Sequence, residues 1–449
     1  MASKLGNEEF IIERKGRISS FINKVLWLAG GARYRVQLID VIKKWRTTSQ
    51  QIEIDLIIQK RAIHQLLPNM DYGDAISNQA ISLKRILRSH GYKSDIFARY
   101  SNSRMVHECK RFNPRRINPD DTILYHHSIG SDLPSYVAEH PGLKVLVYHN
   151  ITPHEFFEPY DSGYANILKE GREDLKKLSN YFELAVGDSK YNTAELEKLG
   201  YRQTSVLPII VDPSKWSSSP DRRTISALNA DENKKIIFVG RLAPNKKQDD
   251  LIHWFTYLHA INPEIRLWLI GPGDVDSIYV QELHKLIRNS NLEHAVFITG
   301  GIEDATLHAY YRTADLFVSM SEHEGFGVPL VEAMWFDIPV LAFRSSAVPE
   351  TMEESGVLFS DKSNLEEIAE LANKLLCDNE MRNFVVTSQR KIRQNFQYKN
   401  LEKTYLEFIN KIDRTKENRT TNQPFKKMIE QGKKSKLCQQ LKTYLKNRL

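Results

Sequence analysis

Two series of short, unbroken apolar runs, separated by stretches of helical periodicity, constrain this chain more than any other feature. In the first series, 61–67 (RAIHQLL), 95–98 (DIFA), 122–126 (TILYH), 144–149 (KVLVYH) and 182–186 (FELAV) read as strands. Between the first two, 75–90 reads as a helix with Ile76, Ala80, Leu83 and Leu87 on one face, closed by Gly91. Residues 68–73 carry turn chemistry. The second series runs through 235–239 (KIIFV), 266–270 (RLWLI), 295–298, 315–319 (DLFVS) and 339–342, again with helices between. Three helices follow, at about 363–377, 380–394 and 400–412. Strands that are apolar on both faces and alternate with helices call for a parallel sheet covered on both sides. The expected fold is α/β, with two Rossmann-like doubly wound domains facing a cleft.

The stretch 206–220 (VLPIIVDPSKWSSSP) holds three prolines and a serine run, and it separates the two series. The chain thus divides into an extension at 1–60, a first domain at 61–205, a second at 206–395, a helix at 396–412 and a tail at 413–449. Charge follows the same division. The 449 residues carry +7 in all, with +5 on 1–60, +8 on 413–449 and −6 on the middle. A nucleic-acid-binding domain carries its basic face on the fold itself, so no nucleic acid is expected as a partner. Basic ends suit an anionic surface such as membrane lipid. Within the tail, 431–449 spaces Leu437, Leu441 and Leu445 four apart among lysines, as a basic amphipathic helix does. Residues 18–42 offer a second such stretch. A solvated tail without a specific partner is the plain alternative.

Cys109, Cys377 and Cys438 lie far apart and form no CxxC. That excludes a disulfide scaffold and a cysteine zinc site, and it suits a reducing compartment. No apolar run reaches about 18 residues, the length a spanning helix needs. The first residues lack the apolar segment of a secretory signal. The expected location is cytoplasmic, with attachment through 413–449 at the inner face of a membrane.

Open parallel sheets bind ligands beyond the carboxyl ends of their strands, and four loops of the second domain lie there. In 239–247 (VGRLAPNKK), Gly240 lets the chain turn, and Arg241 and Lys246 follow five residues apart, just before a helix. Backbone N–H groups with two bases make an anion site suited to a diphosphate. Gly271 and Gly273 form a turn that admits close backbone approach to a ligand. In 321–333 (SEHEGFGVPLVEA), Gly325, Phe326 and Gly327 lead into an apolar helix. Glu324 stands before its N-terminus and Glu332 eight residues further on. A carboxylate in so apolar a helix is costly without a partner; ribose hydroxyls, or a local arginine or backbone group, would supply one. The loop 344–350 (RSSAVPE) forms a further wall.

Together these loops resemble the family 4 retaining glycosyltransferases (glycosyl transferases group 1), which have the GT-B fold. GRLAPNKK is similar to that family's phosphate-binding Gly-Arg…Lys loop, and EGFGVPLVE to its E-x7-E motif, with Glu324 and Glu332 as the acids. The resemblance covers 206–395 closely and 61–205 loosely. It implies an acceptor-facing first domain, a nucleotide-sugar-binding second domain and a helix at 396–412 that packs back on the first. Arg241 and Lys246 would hold the donor diphosphate, Glu332 the ribose, and Glu324 the hydroxyls of the transferred sugar. The backbone at 325–327 would meet sugar and phosphate, with Gly240, Gly271 and Gly273 close by. The base would sit near 300–302, at Ile302. Gly73 resembles the glycine-rich loop that faces acceptor and diphosphate, and His149 the histidine near the reaction centre. His126, His127 and His154 read as structural. The sequence departs from the family in having Asp337, Ser346 and Ala347 where glycines are common, and Tyr72-Gly73 for a glycine pair.

The reaction so implied moves a hexose, mannose or similar, from a GDP- or UDP-linked sugar to a hydroxyl of a glycan or lipid-linked acceptor. The anomeric configuration would be retained, and the setting would be cell-surface polysaccharide synthesis. No DxD-like run marks a cleft loop, so neither a metal nor another cofactor is expected. One alternative is a catalytically silent sugar-nucleotide-binding scaffold with basic arms for an anionic partner. Another is epimerisation or phosphorolysis on the same fold. Glycoside hydrolysis by the two carboxylates would leave the basic loop without a purpose.

Overall fold

The computed structural model describes residues 62–353 and 355–421. The readings made for 1–60 and for 431–449 lie outside the described residues. The first sheet holds β1 (Ile63–Met70), β2 (Ile96–Ser101), β3 (Lys110–Arg111), β4 (Thr122–His127), β5 (Lys144–Tyr148), β6 (Leu184–Gly187) and β7 (Thr204–Val206). Its order is β3-β2-β1-β4-β5-β6-β7, and every pair is parallel. Helices α1 (Ala75–Ser89), α2 (Leu133–Glu139), α3 (Ser162–Leu178) and α4 (Lys190–Lys198) connect its strands.

After α5 (Arg222–Ala230) comes a second sheet of β8 (Lys234–Val239), β9 (Ile265–Ile270), β10 (Val296–Gly300), β11 (Leu316–Ser319), β12 (Val340–Phe343) and β13 (Val357–Phe359). Its order is β10-β9-β8-β11-β12-β13, again parallel throughout. Helices α6 (Gln248–Ile261), α7 (Ile278–Asn289), α8 (Asp304–Thr313), α9 (Val328–Trp335), α10 (Val348–Met352), α11 (Leu365–Cys377) and α12 (Asn379–Ile392) accompany it. Each sheet reverses its strand order once, between β1 and β4 and between β8 and β11, and those switch points open crevices at the strand ends. This is the two-domain α/β architecture of GT-B proteins.

Burial explains why the strands read so plainly. Every residue of β4 and β5 is buried, so both read as runs with an apolar centre, Ile123–Tyr125 and Val145–Val147. Local caps fix the helix starts. Asp74 accepts from Ser77 N at 2.9 Å ahead of α1, and Ser189 accepts from Asn192 N at 3.2 Å ahead of α4.

Three expectations change. The turn expected at 68–73 starts only after Met70, because β1 runs through Pro68. Beyond Leu66 the strand pairs with β2 alone, so a residue without an N–H fits the side that β4 has left. The run at 182–186 does not close the first sheet, since β7 follows at its edge and takes in Val206. It is only three residues long and half-buried, too short to show a pattern.

The last helix is also longer than expected. α13 (Tyr398–Thr421) returns to the first domain, where Leu401, Tyr405, Phe408, Ile409 and Ile412 pack with Leu83, Leu87, Leu124 and Val145. It does not stop at 412. Asp413 accepts from Tyr92 Oη, Lys416 Nζ donates to Asp120 O at 2.8 Å, and Arg419 pairs with Glu183 at 2.9 Å. The start of the expected tail is therefore docked helix. Its contacts are polar, so apolar periodicity gave no sign of them. Where the chain crosses between domains, Val211 N donates to Phe396 O at 3.0 Å, so the outgoing and returning segments are bonded to each other.

Candidate active site

The loop after β8 carries the expected anion-binding residues. Pro244–Lys246 forms a single 3-10 turn, and Lys247 adopts a left-handed conformation (φ 54°) before α6 begins. Lys246 Nζ lies 2.6 Å from Glu324 Oε2. Asn245 ties this loop to the one after β11: its Nδ2 donates to His323 O at 3.1 Å, and its own carbonyl accepts from Glu322 N at 2.9 Å. Arg241 does not join Lys246. Its Nη1 donates to Tyr164 Oη on α3 at 3.1 Å, and its guanidinium stands 5.4 Å from the Tyr164 ring centre and 5.8 Å from that of Phe157.

The glycines here also serve the packing of the protein itself. A Cβ on Gly271 would lie 2.1 Å from Gly240 O, and one on Gly273 would lie 2.8 Å from Leu242 Cβ. One on Gly240 would meet the Phe238 ring at 3.0 Å. Gly271 and Gly273 thus let the loop after β9 lie close against the loop after β8.

After β11, Glu324 N donates to Ser346 Oγ at 2.7 Å. Gly327 is left-handed (φ 92°) as α9 begins. Gly325 lacks a Cβ where one would stand 2.7 Å from His149 O of the first domain, and its carbonyl accepts from Ser189 Oγ at 3.1 Å. Phe326 is expected to offer its backbone, and its side chain is engaged elsewhere. Its ring is buried against Phe396 at 5.4 Å between centroids, among Ile209, Val211 and Val331, so only its backbone is left for a ligand. Glu332 is buried and satisfied within the protein: Oε1 pairs with Lys215 Nζ at 3.1 Å, and Oε2 accepts from Tyr311 Oη at 3.0 Å. Burial works against charge on Lys215, but Glu332 and then Asp304 outweigh it and raise its pKa. Ile302 packs half-buried against the core around Trp216 and Tyr311.

Two departures from the family's glycines find a reason. Ser346 (φ 43°) and Asp337 (φ 57°) both stand in the left-handed region that glycine enters at least cost. Ser346 uses its hydroxyl on Glu324. Asp337 takes two bonds from Arg390, at 2.9 and 2.7 Å, and one from Arg393 at 2.7 Å. The Arg390 bond, more than its partial burial, leaves its carboxyl below the usual range.

Residues 221–392 match the family described as Glycosyl transferases group 1. The second domain belongs to that family. Mannosylfructose-phosphate synthase of Agrobacterium fabrum is 35% identical over 146 residues, 32% of this chain and 30% of its own. The GDP-mannose-dependent alpha-(1-6)-phosphatidylinositol monomannoside mannosyltransferase of Mycolicibacterium smegmatis is 25% identical over 226 residues, 47% of this chain and 58% of its own. The chain thus spans less than two thirds of the length of either. Among solved structures, HepE from Anabaena in complex with UDP-glucose superposes with a TM-score of 0.63 at 18% identity, covering 78% of this chain and 99% of that one. Sucrose-phosphate synthase from Thermosynechococcus elongatus gives 0.63 at 17%, covering 79% and 100%. Both likenesses are of fold.

The first domain supplies the facing wall of the glycosyl transferase domain. Gly73 is left-handed (φ 75°) with open space around it. The Arg104 guanidinium lies 3.6 Å from the centre of the Tyr72 ring and forms a two-pronged pair with Glu303 across the domains. Glu350 accepts from Lys190 N, at 2.9 and 2.7 Å, at the start of α4. His149 is buried, with Nδ1 2.8 Å from Asp188 Oδ2. His126, read from sequence as merely structural, has Nδ1 2.8 Å from His149 Nε2. His127 keeps its structural reading, bonded to Gly171 O at 2.8 Å, and His154 pairs on the surface with Glu155 and Glu158. His323 is buried, and burial, then Lys246 and Arg172, push it down to about 3, so it is neutral at pH 7. Among the described residues no group of three or more His, Cys, Asp or Glu side chains could hold a metal ion.

Sequence reasoning missed Asn245, Lys215, Tyr311, Ser346, Tyr164 and Asp188. Lys215 lay in the stretch read as a linker. The demand of buried Glu332 for a partner was the one signal that could have led to it.

Proposed function

We propose that the protein is a retaining glycosyltransferase of family 4. It moves a hexose from a GDP- or UDP-linked sugar to a hydroxyl of a glycan or lipid-linked acceptor in cell-surface polysaccharide synthesis. The observation that carries this reading is the Lys246–Glu324 pair, held at the strand ends between the phosphate-type loop and the start of α9. A base for the diphosphate and an acid for the sugar hydroxyls stand together where such a donor would lie. The relatives' printed activities, a mannosyltransferase and a sugar-phosphate synthase, support the same class.

As the glycosidic bond breaks, negative charge builds on the leaving diphosphate. Lys246 and the positive end of the α9 dipole stabilise that charge where it develops. Arg241 adds to this after leaving Tyr164. Glu324 then turns from Lys246 to the sugar. Each oxygen of Glu332 makes one bond within the protein and keeps a lone pair for a ribose hydroxyl. The bases do the neutralising, so no metal or cofactor is required. Attachment to an anionic membrane at the cytoplasmic face would rest on the chain after 421, since 413–421 is engaged by the first domain. Among the described residues no helix is long and apolar enough to cross a membrane.

The test is a calorimetric titration of the protein with GDP, UDP and ADP in the presence of a chelator. Binding of one nucleotide, weakened in Lys246→Ala, is the expected result. A folded sample that binds none of them overturns the reading.

A further inference from the structure

Four buried side chains run in one line through the first sheet, from the end of β6 to β1. Asp188 Oδ2 stands 2.8 Å from His149 Nδ1, His149 Nε2 stands 2.8 Å from His126 Nδ1, and His126 Nε2 stands 2.9 Å from Gln65 Oε1. The two imidazole planes differ by 8°, and their centroids are 5.0 Å apart. With 2.8 Å between the facing nitrogens, that separation leaves little more than a ring radius on each side. The rings therefore meet edge to edge in nearly one plane, and the contact is a hydrogen bond, not a face-to-face stack.

Valence then assigns the hydrogens. Gln65 Nε2 donates to Ala80 O at 2.9 Å, so Oε1 is the atom that faces His126, and His126 Nε2 carries a hydrogen. A carboxylate only accepts, so His149 Nδ1 carries another. A third must lie between His126 Nδ1 and His149 Nε2, or two lone pairs would face each other. Three hydrogens on four ring nitrogens are one more than two neutral imidazoles hold. We infer that His149 is held as an imidazolium against the Asp188 carboxylate, with His126 neutral beside it, and that Asp188 and His126 are positioning residues of the candidate active site.

The charge belongs on His149 because that ring alone touches the carboxylate. His126 is wholly buried, and burial together with the charge on His149 pushes its pKa far down. The other titratable groups near the line do not compete. His127 on β4 is neutral at pH 7, and the Tyr405 hydroxyl of α13, near Asp188, is raised by burial. Asp188 Oδ1 is buried and has no hydrogen-bond partner among the described residues, so His149 is the counterion that the carboxylate meets.

The pair underlies the cleft. Gly325, next to Glu324, rests on the His149 carbonyl, and the hydroxyl of Ser189, next to Asp188, holds the Gly325 carbonyl. This step depends on the glycosyltransferase reading: a fixed imidazolium keeps that wall rigid and sets a permanent positive charge in it as leaving-group charge develops.

The first test needs no substrate. Nitrogen-15 NMR of the full-length protein, labelled in its histidine rings, is recorded at pH 8.5, where a histidine with the ordinary value of about 6.5 is neutral. One ring with both nitrogens protonated is expected, and it should vanish in Asp188→Asn. A wild-type spectrum without such a ring overturns the assignment, whatever the enzyme's reaction, and it does so even if the variant fails to fold. The second test reads the role in turnover. Between pH 6 and 8.5, kcat of Asp188→Asn should fall by about 10–100-fold, as a ring with the ordinary value of about 6.5 loses its proton, while the native profile stays level. The donor KM should be unchanged, and Asp188→Glu should restore the level profile. A level profile in a folded Asp188→Asn protein removes the positioning role.

Discussion

Lys246 Nζ and Glu324 Oε2 stand 2.6 Å apart, with side chains 21% and 14% exposed, so each is the other's countercharge. Binding a diphosphate must draw the lysine away from the acid. Lys246→Ala should lower kcat by about 10²–10³, the range seen when one preorganised donor is removed. Turnover kinetics on a sample with native circular dichroism checks this, and a wild-type rate would take Lys246 out of the machinery.

Ser346 separates two effects at one position. Its φ of 43° costs about 1–3 kcal/mol in a residue other than glycine, and its bond to Glu324 N returns about 0.5–1.5 kcal/mol. Ser346→Gly should therefore be neutral or stabilising, whereas Ser346→Ala, which keeps the strain and loses the bond, should be the less stable protein. Urea unfolding of the two gives the order, and the reverse order would contradict the account.

Glu332 and Lys215 offer a test on a buried pair. Breaking a fully buried pair costs about 3–5 kcal/mol. The Lys215 side chain is 30% exposed, so Lys215→Met should cost less, about 1–3 kcal/mol after screening. Glu332→Gln keeps an oxygen for Tyr311 and should cost less again. Equal melting points for Lys215→Met and the native protein would show that solvent already serves Glu332.

Acid should weaken the fold through its buried neutral histidines. Burial pushes His127 down to about 4, against the pull of the Gly171 carbonyl, and His323 to about 3. The unfolded chain therefore takes up protons first as pH falls. Stability is complete above about 6.5 and drains away as pH drops toward those values, on the order of 3 kcal/mol for His127. Urea midpoints at pH 7.5, 5.5 and 4.5 should fall, and less steeply in His127→Gln. An equally steep fall in that variant would clear His127 of the effect.

Two truncations distinguish docked helix from the chain beyond it. Ending the protein at 421 should leave the melting temperature unchanged and abolish binding to anionic vesicles. Ending it at 412 removes Asp413, Lys416 and Arg419 from their partners and should lower the melting temperature as well. Vesicle binding that survives the loss of 422–449 would shift the membrane role elsewhere.

The sheets were legible because parallel strands buried on both faces are mostly apolar at successive positions, as 145–147 is. The loop residues were legible as types: a Gly-Arg…Lys loop and two spaced acids narrow the chemistry. Their partners were not. Nothing near Lys215 in the sequence points to Glu332, 117 residues away, and nothing marks Asp188 as the partner of His149. Side-chain pairing across a fold is set by topology, and local pattern does not carry it. Gly271 lacks a side chain where one would strike Gly240 O, a packing contact that sequence spacing cannot separate from room for a ligand.

Among the described residues the chain crosses between the domains in two stretches, and the bond between Val211 and Phe396 joins them side by side. Two bodies tied at one point can swing and twist in any direction. Tied by two adjacent segments bonded to each other, they should keep mainly one freedom, a rotation about the line those segments share. Spin labels astride Arg104 and Glu303, at the far rim, should report that rotation as a change in distance on nucleotide binding, while labels flanking Val211 and Phe396 stay still.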